Sequence, residues 1–449
     1  MNRPSLHPVD LANRIIDSGT AEPPHNRVTE ELSEIEDDVA VVESFSHCWV
    51  VDAGDELVCW DASGAHSGRA VVEALRGWSD LPVTRLIYTH GHIDHVGGSG
   101  AFVADAEQRG DPRPIFLAHE AVPIRFERYR ETNGWNVTIN RRQFGGIRDR
   151  SKLGMGGDES RFLTEDVAEP DELVGDHHSF VVGDRTFELR HARGETDDHV
   201  WGWDAERRTA WTGDFVCWMF PNAGNPQKVQ RYPIEWAAAL RDMLAVGVER
   251  VYPAHGLPIV GRARCEQILG DVAEALEHLA GRTLELMNDG ATIDDIIHVV
   301  RVPDHLVDRP WLAPHYDEPE FVIRNVYRQF GGWWDGNPAN LKPASETAVA
   351  SEVVALAGSV EALVGRALEL VEVGDLRLAC HLVEMAAAAE PEHEGAQQAR
   401  AEVYWHRRAA ERSLMSKGVF AAAARESEAA IGIEVASDRV STTQRGALS

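Results

Sequence analysis

An α/β fold of two successive strand-and-helix sets, followed by an all-helical region, is what the sequence predicts. Three observations carry this. Short β-rich runs cluster twice along the chain; a buried-strand run empties into a histidine-rich loop; and after Cys265 the apolar period becomes helical almost without a break.

The first set begins at Val28, after an arm (residues 1–27) rich in Pro, Asn and charge that reads as irregular unless it docks on the body. Val39–Val42, His47–Val51 and Glu56–Trp60 are short β-rich runs broken by Asp and Gly, followed by a helix at Ala70–Leu75. Val83–Thr89 (VTRLIYT) reads as a buried strand and delivers the chain into HGHIDHVGG. Ala101–Gln108 then reads as helix, Arg113–Ala118 as strand and Glu120–Thr132 as helix. Gly145–Gly175, rich in Gly, Asp and Glu, reads as a long loop or lid.

The second set comprises strands at Ser179–Val182, Thr186–Arg190, Val200–Asp204 and Thr209–Gly213, a helix at Ile234–Leu244, and a last strand, Arg250–Pro253, ending near His255. Beyond it the helical region includes Ala291–Val300, Phe321–Phe330 and a chain of helices from Thr347 to about Gly432. There Val360, Leu363, Val364, Ala367 and Leu368 form one apolar face, and Gly374–Asp375 turns the chain into the next helix, in the manner of a tetratricopeptide pair. The expected layout is an arm (1–27), a catalytic domain (28–280), a helical domain (281–435) and a disordered polar tail (436–449).

Composition narrows the function. The 449 residues carry 73 acidic against 44 basic side chains, a formal charge of −29, which disfavours nucleic acid or any polyphosphate as partner. No run of eighteen apolar residues and no secretory signal is visible, so the expectation is a soluble, cytoplasmic protein with no membrane association. Five scattered cysteines without a CxxC pair are poor material for a disulfide framework or a thiolate metal site.

The chemistry concentrates in HGHIDH. His90, His92, Asp94 and His95 sit on one strand-to-helix loop, where alternate side chains can reach two neighbouring points in space. Imidazole suits zinc or iron, and carboxylates bridge or complete a harder site. Four ligands from six residues point to a dinuclear metal centre.

HxHxDH after such a strand resembles the signature of the metallo-β-lactamase superfamily. The resemblance implies an αββα sandwich and places three further ligands: Glu195 in RHARGETDDHV, Asp214 in WTGDF as bridging carboxylate, and His255 in YPAHG. His90, His92 and Glu195 would hold one ion; Asp94, His95 and His255 the other. His191 and His199 flank Glu195 and stand as alternatives to it. The implied cofactor is a pair of zinc ions, with iron or manganese as alternatives, and the implied catalytic pair is Asp94 and Asp214.

Within that superfamily INRRQFGG (139–146), LMNDGATIDDI (286–296) and above all WWDGNP (333–338) are similar to segments of alkyl sulfatases. That resemblance implies sulfate-ester hydrolysis by metal-activated water on a small-molecule substrate, and a homodimer formed through the helical region. The chain departs from the pattern at three places. FPNAGNPQKVQRY keeps Asn222 but has no arginine where alkyl sulfatases carry Thr-Leu-Arg-Gly, leaving Lys228 or Arg231 to substitute. Asp214 stands in place of Glu, and the sterol-carrier-like domain and export signal of many members are missing. Asn222, Arg231, Lys228, Arg142 and Trp218 are the candidate substrate contacts, with His191, His199 or a metal-bound water as candidate acid. The alternative reactions are hydrolysis of a carboxylic ester, lactone, amide or phosphoester, or di-iron redox chemistry.

Overall fold

The computed structural model describes residues 6–21, 26–144 and 161–433. Most of the expected lid (145–160) and the expected tail from residue 434 onward lie outside the described residues.

Two mixed sheets face one another. In the first, β1 (Leu32–Glu36), β2 (Val39–Val42), β3 (Cys48–Asp52) and β4 (Leu57–Trp60) form an antiparallel meander. The chain then crosses by α2 (Gly68–Trp78) to β5 (Val83–Ile87). After α3 (Ile93–Val96) and α4 (Ser99–Arg109), β6 (Ile115–His119) adds in parallel. So does β7 (Glu172–Val174), beyond α5 (Val122–Glu131) and α6 (Asn133–Phe144). The seven strands thus lie in chain order. The second sheet is built from β8 (His177–Val182), β9 (Arg185–His191), β10 (Val200–Asp204) and β11 (Thr209–Gly213). Across α7 (Pro233–Ala245) the chain returns to β12 (Arg250–Pro253), parallel to β11, and ends the sheet with β13 (Ile259–Val260).

The inner faces are packed with aromatic rings. Trp60 stacks on Trp211 at 4.8 Å and Trp49 on Tyr252 at 4.3 Å, each pair joining the two sheets. Gly202 makes room for this, since a Cβ there would collide with the Trp60 ring. Helices cover both outer faces, so β2 and β4 are buried at every position and read as continuous apolar runs rather than alternating ones. Val71, Leu75, Phe102 and Phe126 cover the first sheet. Trp236, Leu240, Leu269 and Leu276 cover the second. The result is an αββα sandwich.

The arm is not irregular throughout. Pro8–Ser18 forms α1, with Pro at its first turn and Gly19 in the left-handed conformation at its end. Its Leu11, Ala12, Ile15 and Ile16 join the core under the second sheet. The arm therefore docks, and docking supplies the burial that its composition left undecided. The sequence also left β1, α6 and β13 unassigned, and β7 corrects the end of the expected lid, since Glu172–Val174 pairs with Leu117–His119 of β6.

Beyond the sandwich run α8 (Arg262–Asn288), α9 (Ile293–Val299), α10 (Pro319–Gly331) and the short α11 (Pro338–Leu341). Five further helices follow: α12 (Glu346–Ala357), α13 (Val360–Glu372), α14 (Leu376–Ala389), α15 (Glu394–Ala410) and α16 (Leu414–Ala430). Val360, Leu363 and Ala367 are buried as the period required. α16 crosses α6 so closely that a Cβ on Gly418 would strike the Gln143 carbonyl, which brings the helical region against the sandwich beside the site. Among the described residues no single helix is long and apolar enough to cross a membrane. α12 and α13 reach that length only as a pair bent by 87°.

Candidate metal centre

β5 ends at Ile87 and α3 begins at Ile93, so His90 and His92 lie on the connecting loop while Asp94 and His95 open the helix. Glu195 comes from the β9–β10 turn, Asp214 from the end of β11 and His255 from the end of β12, all at one rim of the sandwich. The structure brings these seven side chains into two groups, with the ligand atoms in each lying within 4.8 Å of one another: His90, His92, Glu195 and Asp214, and Asp94, His95 and His255.

Asp214 touches both groups with different oxygens. Its Oδ2 lies 3.9 Å from His90 Nε2, and its Oδ1 lies 3.3 Å from His95 Nε2 and 3.5 Å from His255 Nε2. Asp94 Oδ2 reaches the same two imidazoles at 3.6 and 3.4 Å. In the first group His90 Nε2 and His92 Nδ1 are 2.9 Å apart, and His92 Nδ1 lies 3.5 Å from Glu195 Oε1. Gly213 holds a positive φ of 50° just before Asp214, and a Cβ there would come within 2.5 Å of His199 Nε2 and 2.7 Å of Thr89 Oγ1. Glycine is required to bring the carboxylate this close.

The supporting groups choose the tautomers. Asp61, at the end of β4 and itself at a strained φ of 58°, accepts from Thr89 N and from His95 Nδ1, both at 2.8 Å. His95 Nε2 is thereby left facing the centre. His255 Nδ1 donates to the Phe45 carbonyl at 2.5 Å, which frees its Nε2 in the same way. Arg125 is clamped to Asp198 at 2.5 Å, and Asp198 accepts from Gly91 N at 3.3 Å, pinning the histidine loop from below. None of Asp61, Phe45 or Arg125 was marked by the sequence. For Asp61 the available signal was an acid directly after a buried strand, followed by three small residues.

The donor set fits a pair of divalent cations. His95 Nε2 and Asp214 Oδ1 face each other, are buried, and neither makes a well-formed hydrogen bond. Burial, then Asp214's charge, raises the Glu195 carboxyl well above the usual carboxylate range. Burial also lowers His90 and His92 well below the usual imidazole value, keeping them neutral as ligation requires. In the second group His95 and His255 are instead raised, against the lowering that burial imposes, by Asp214 and the neighbouring carboxylates, a stabilising role that cations between these buried groups would take over.

His199 and His191 lie outside both groups. His199 is buried, stacks on Phe215 at 4.1 Å and accepts from Asp214 N at 3.3 Å through Nε2, so it supports the bridging residue. His191 stacks on His119 at 3.8 Å and donates to the Asp197 carbonyl at 2.9 Å.

The candidate substrate contacts separate. Asn222 Nδ2 donates to Glu195 Oε1, and Arg231 Nη2 lies 3.4 Å from the same oxygen. Asn222 Oδ1 and Arg231 Nε have no hydrogen-bond partner among the described residues. Lys228 is half-buried over the Phe162 ring at 5.1 Å, within the fields of Arg231, Asp94 and Glu195; burial pushes its ammonium down to about 7. Arg142 is set back, donating to Gln227 Oε1 at 3.1 Å. Trp218 corrects the expectation. It is 1% exposed, its indole donates to the Leu257 carbonyl at 2.7 Å, and it fills the space a Cβ on Gly256 would take. Trp218 therefore supports the His255 loop from the core and offers no wall to a substrate.

One side chain beside the site comes from the helical region and went unmarked. The Tyr316 hydroxyl accepts from Gln143 Nε2 at 2.5 Å, and its proton is held more tightly because of burial, then the charges of Glu195 and Asp94. Nothing local in HYDEPE marks it, since its position depends on Ser413 Oγ donating to its carbonyl at 2.6 Å from the start of α16.

Comparison with known proteins agrees with this geometry. Residues 41–255 match the metallo-beta-lactamase superfamily. That stretch is therefore a domain of that superfamily. Residues 292–430 match the alkyl sulfatase dimerisation family, so the sandwich and the helical region each have a counterpart. A linear primary-alkylsulfatase from Pseudomonas sp. is 25% identical over 338 residues, 73% of this chain and 63% of that protein. An alkyl/aryl-sulfatase (BDS1) from Saccharomyces cerevisiae is 24% identical, over 71% of this chain and 51% of its own length. The chain thus spans less than two thirds of the curated relatives it matches. The solved structure of the stereoselective inverting sec-alkylsulfatase Pisa1 from Pseudomonas sp. is 20% identical and covers 92% of this chain and 66% of its own, with a TM-score of 0.77, so the two share a fold.

Proposed function

We propose that this protein is a sulfuric-ester hydrolase of small organic sulfates, holding two zinc ions and working as a cytoplasmic homodimer. The observation that carries the reading is Asp214, whose two carboxylate oxygens face two separate ligand groups. His90, His92 and Glu195 would hold one ion and Asp94, His95 and His255 the other. When bound, such a pair lowers the pKa of a water toward neutrality and neutralises charge on a substrate oxygen.

The chain's own residues then orient the ester. Lys228 in its charged form, with Asn222 at the Glu195 side, supplies positive and polar contacts for an anion in a protein whose net charge is −29. Arg231 Nη2 is turned toward Glu195, and its charge opposes the rise that burial and Asp214 impose on that carboxyl. Its Nε has no hydrogen-bond partner among the described residues. A second reading, hydrolysis of a carboxylic ester, lactone, amide or phosphoester, is favoured by the segment FPNAGNPQKVQ (220–230), which carries no arginine. His191 and His199 are engaged elsewhere, and Lys228, near neutrality in pKa, is better placed to give a proton to a leaving oxygen.

The homodimer draws support from exposed apolar side chains in the helical region. Trp333 is 73% and Leu356 87% exposed. The Trp333 turn is nonetheless well formed, with Trp334 Nε1 donating to the Asn337 carbonyl at 2.9 Å and Asn337 N to Asp335 Oδ1 at 2.9 Å. A built turn that presents indole to solvent suits burial against a second copy. Trp333→Glu is expected to shift a dimer to monomer in light scattering; a wild-type monomer rejects the dimer.

A panel of alkyl and aryl sulfates, carboxylic esters, lactones and phosphodiesters tests the reaction, with His92→Ala as control. Sulfate release that is lost in the variant supports the first reading. Ester cleavage without sulfate release replaces it with the second.

A further inference from the structure

We infer that the N-terminal segment completes the second ligand group, with Asn26 as the positioning residue that fixes His255; this rests on the dinuclear reading above. His255 reaches the centre from a loop after β12 and is oriented by one carbonyl, that of Phe45. Phe45 lies on the loop between β2 and β3, 210 residues away in the chain. The Asn26 amide ties these two loops together. Its Nδ2 donates to the same Phe45 carbonyl at 2.8 Å, and its Oδ1 accepts from Gly256 N at 2.9 Å.

The amide orientation is fixed by its partners, because a carbonyl only accepts and a backbone N–H only donates. A carbonyl oxygen has two lone pairs, and here His255 takes one while Asn26 takes the other. His47 reinforces the clasp, donating from N to the Ala254 carbonyl and from Nε2 to the Gly256 carbonyl, both at 2.7 Å. The loop so held also carries Ser46, whose hydroxyl lies 3.2 Å from His95 Nδ1, so both imidazoles of the group lean on it.

The arm is anchored on either side of this contact. Arg27 forms a buried pair with Glu43 at 2.8 Å and donates to the Leu6 carbonyl at 2.7 Å. Further back, Asp17 on α1 pairs with Arg264 at 2.8 Å. Asn26 is thus held at fixed height between the two loops. Without its amide the Phe45 carbonyl keeps only the histidine, and the ring that must present Nε2 to a cation loses its reference point.

The experiment measures Zn2+ binding to the full chain, by metal analysis after desalting and by chelator competition. The wild type is compared with Asn26→Ala, Asn26→Asp and Leu11→Ala. Asn26→Asp keeps the acceptor for Gly256 N and loses the donor to Phe45. Leu11→Ala loosens the packing of α1 without touching the clasp. We expect two Zn2+ per wild-type chain, and a second ion bound ~10–100-fold more weakly in both Asn26 variants with the first unchanged. Excess Zn2+ should restore kcat while KM stays at its wild-type value. Leu11→Ala should lower Tm and leave both affinities alone. Wild-type affinity for the second ion in either Asn26 variant overturns the inference, as does an equal loss at both ions or an equal loss in Leu11→Ala. A wild-type chain that takes up fewer than two ions overturns the dinuclear reading itself, an outcome distinct from these.

Discussion

The two ligand groups are braced by different kinds of structure. In the second group His95 is oriented by Asp61 and His255 by the Phe45 carbonyl, both parts of the sandwich framework. In the first, Glu195 is held by Asn222 and Arg231, side chains of the 222–231 segment that also faces the substrate side. That segment is in turn held by the helical region: Asn325 on α10 donates to the carbonyls of Ala223 and Arg231 at 3.0 and 2.9 Å, and Asp317 accepts from Gly224 N at 2.6 Å. One metal position is therefore fixed by the body of the fold. The other is coupled to the 222–231 segment, which carries the candidate substrate contacts, and, through it, to the helices.

The widest break in this contrast is at Asp214, which serves both groups. Asp214→Asn should remove activity by at least ~10³-fold, the scale of losing a principal catalytic group, and lower metal content at both positions. Retention of two ions with near-normal kcat would end the bridging assignment.

Asp61→Ala probes the framework side alone. It should weaken one ion by ~10–100-fold and leave the other intact, as judged by metal titration. A matched loss of both ions would mean the two groups are not separately braced.

On the substrate side, Arg231→Met should raise KM about tenfold, the worth of one charge-assisted hydrogen bond, and weaken the ion held by Glu195. An effect confined to the Asp94, His95 and His255 ion would invert the comparison.

The smallest expected effect concerns pH. A lysine lowered to about 7 is cationic below that value and neutral above it. KM for an anionic ester should therefore rise several-fold as pH climbs through about 7. Lys228→Arg, charged throughout, should flatten that rise; an unchanged profile would show that Lys228 does not meet the anion.

Much of the first sheet and the histidine loop was legible because the information is local. VTRLIYT is rich in β-formers and its Leu86 and Ile87 are consecutive buried residues, as in a strand covered on both faces, and HGHIDH places four donors within six residues of its end. Glu195, Asp214 and His255 were legible only by resemblance, since nothing in ARGETDDH by itself selects Glu195 over His191 or His199. Trp218 misled because an indole next to a ligand in sequence can point either into a cleft or into the core. The Asp214–Cys217 turn and the positive φ at Trp218 send it to the core.

The sequence by itself determined most of the order of strands and helices, the chemistry of the donors and the amphipathic periods of the helical region, because each is a property of neighbours along the chain. Only the tertiary structure decided which imidazole nitrogen faces inward, that Asp214 is shared, that Tyr316 reaches the site from the helices and that the arm braces His255. Those depend on hydrogen bonds between segments far apart in the chain. Their partners are backbone carbonyls and N–H groups that every residue carries, so no residue type announces them.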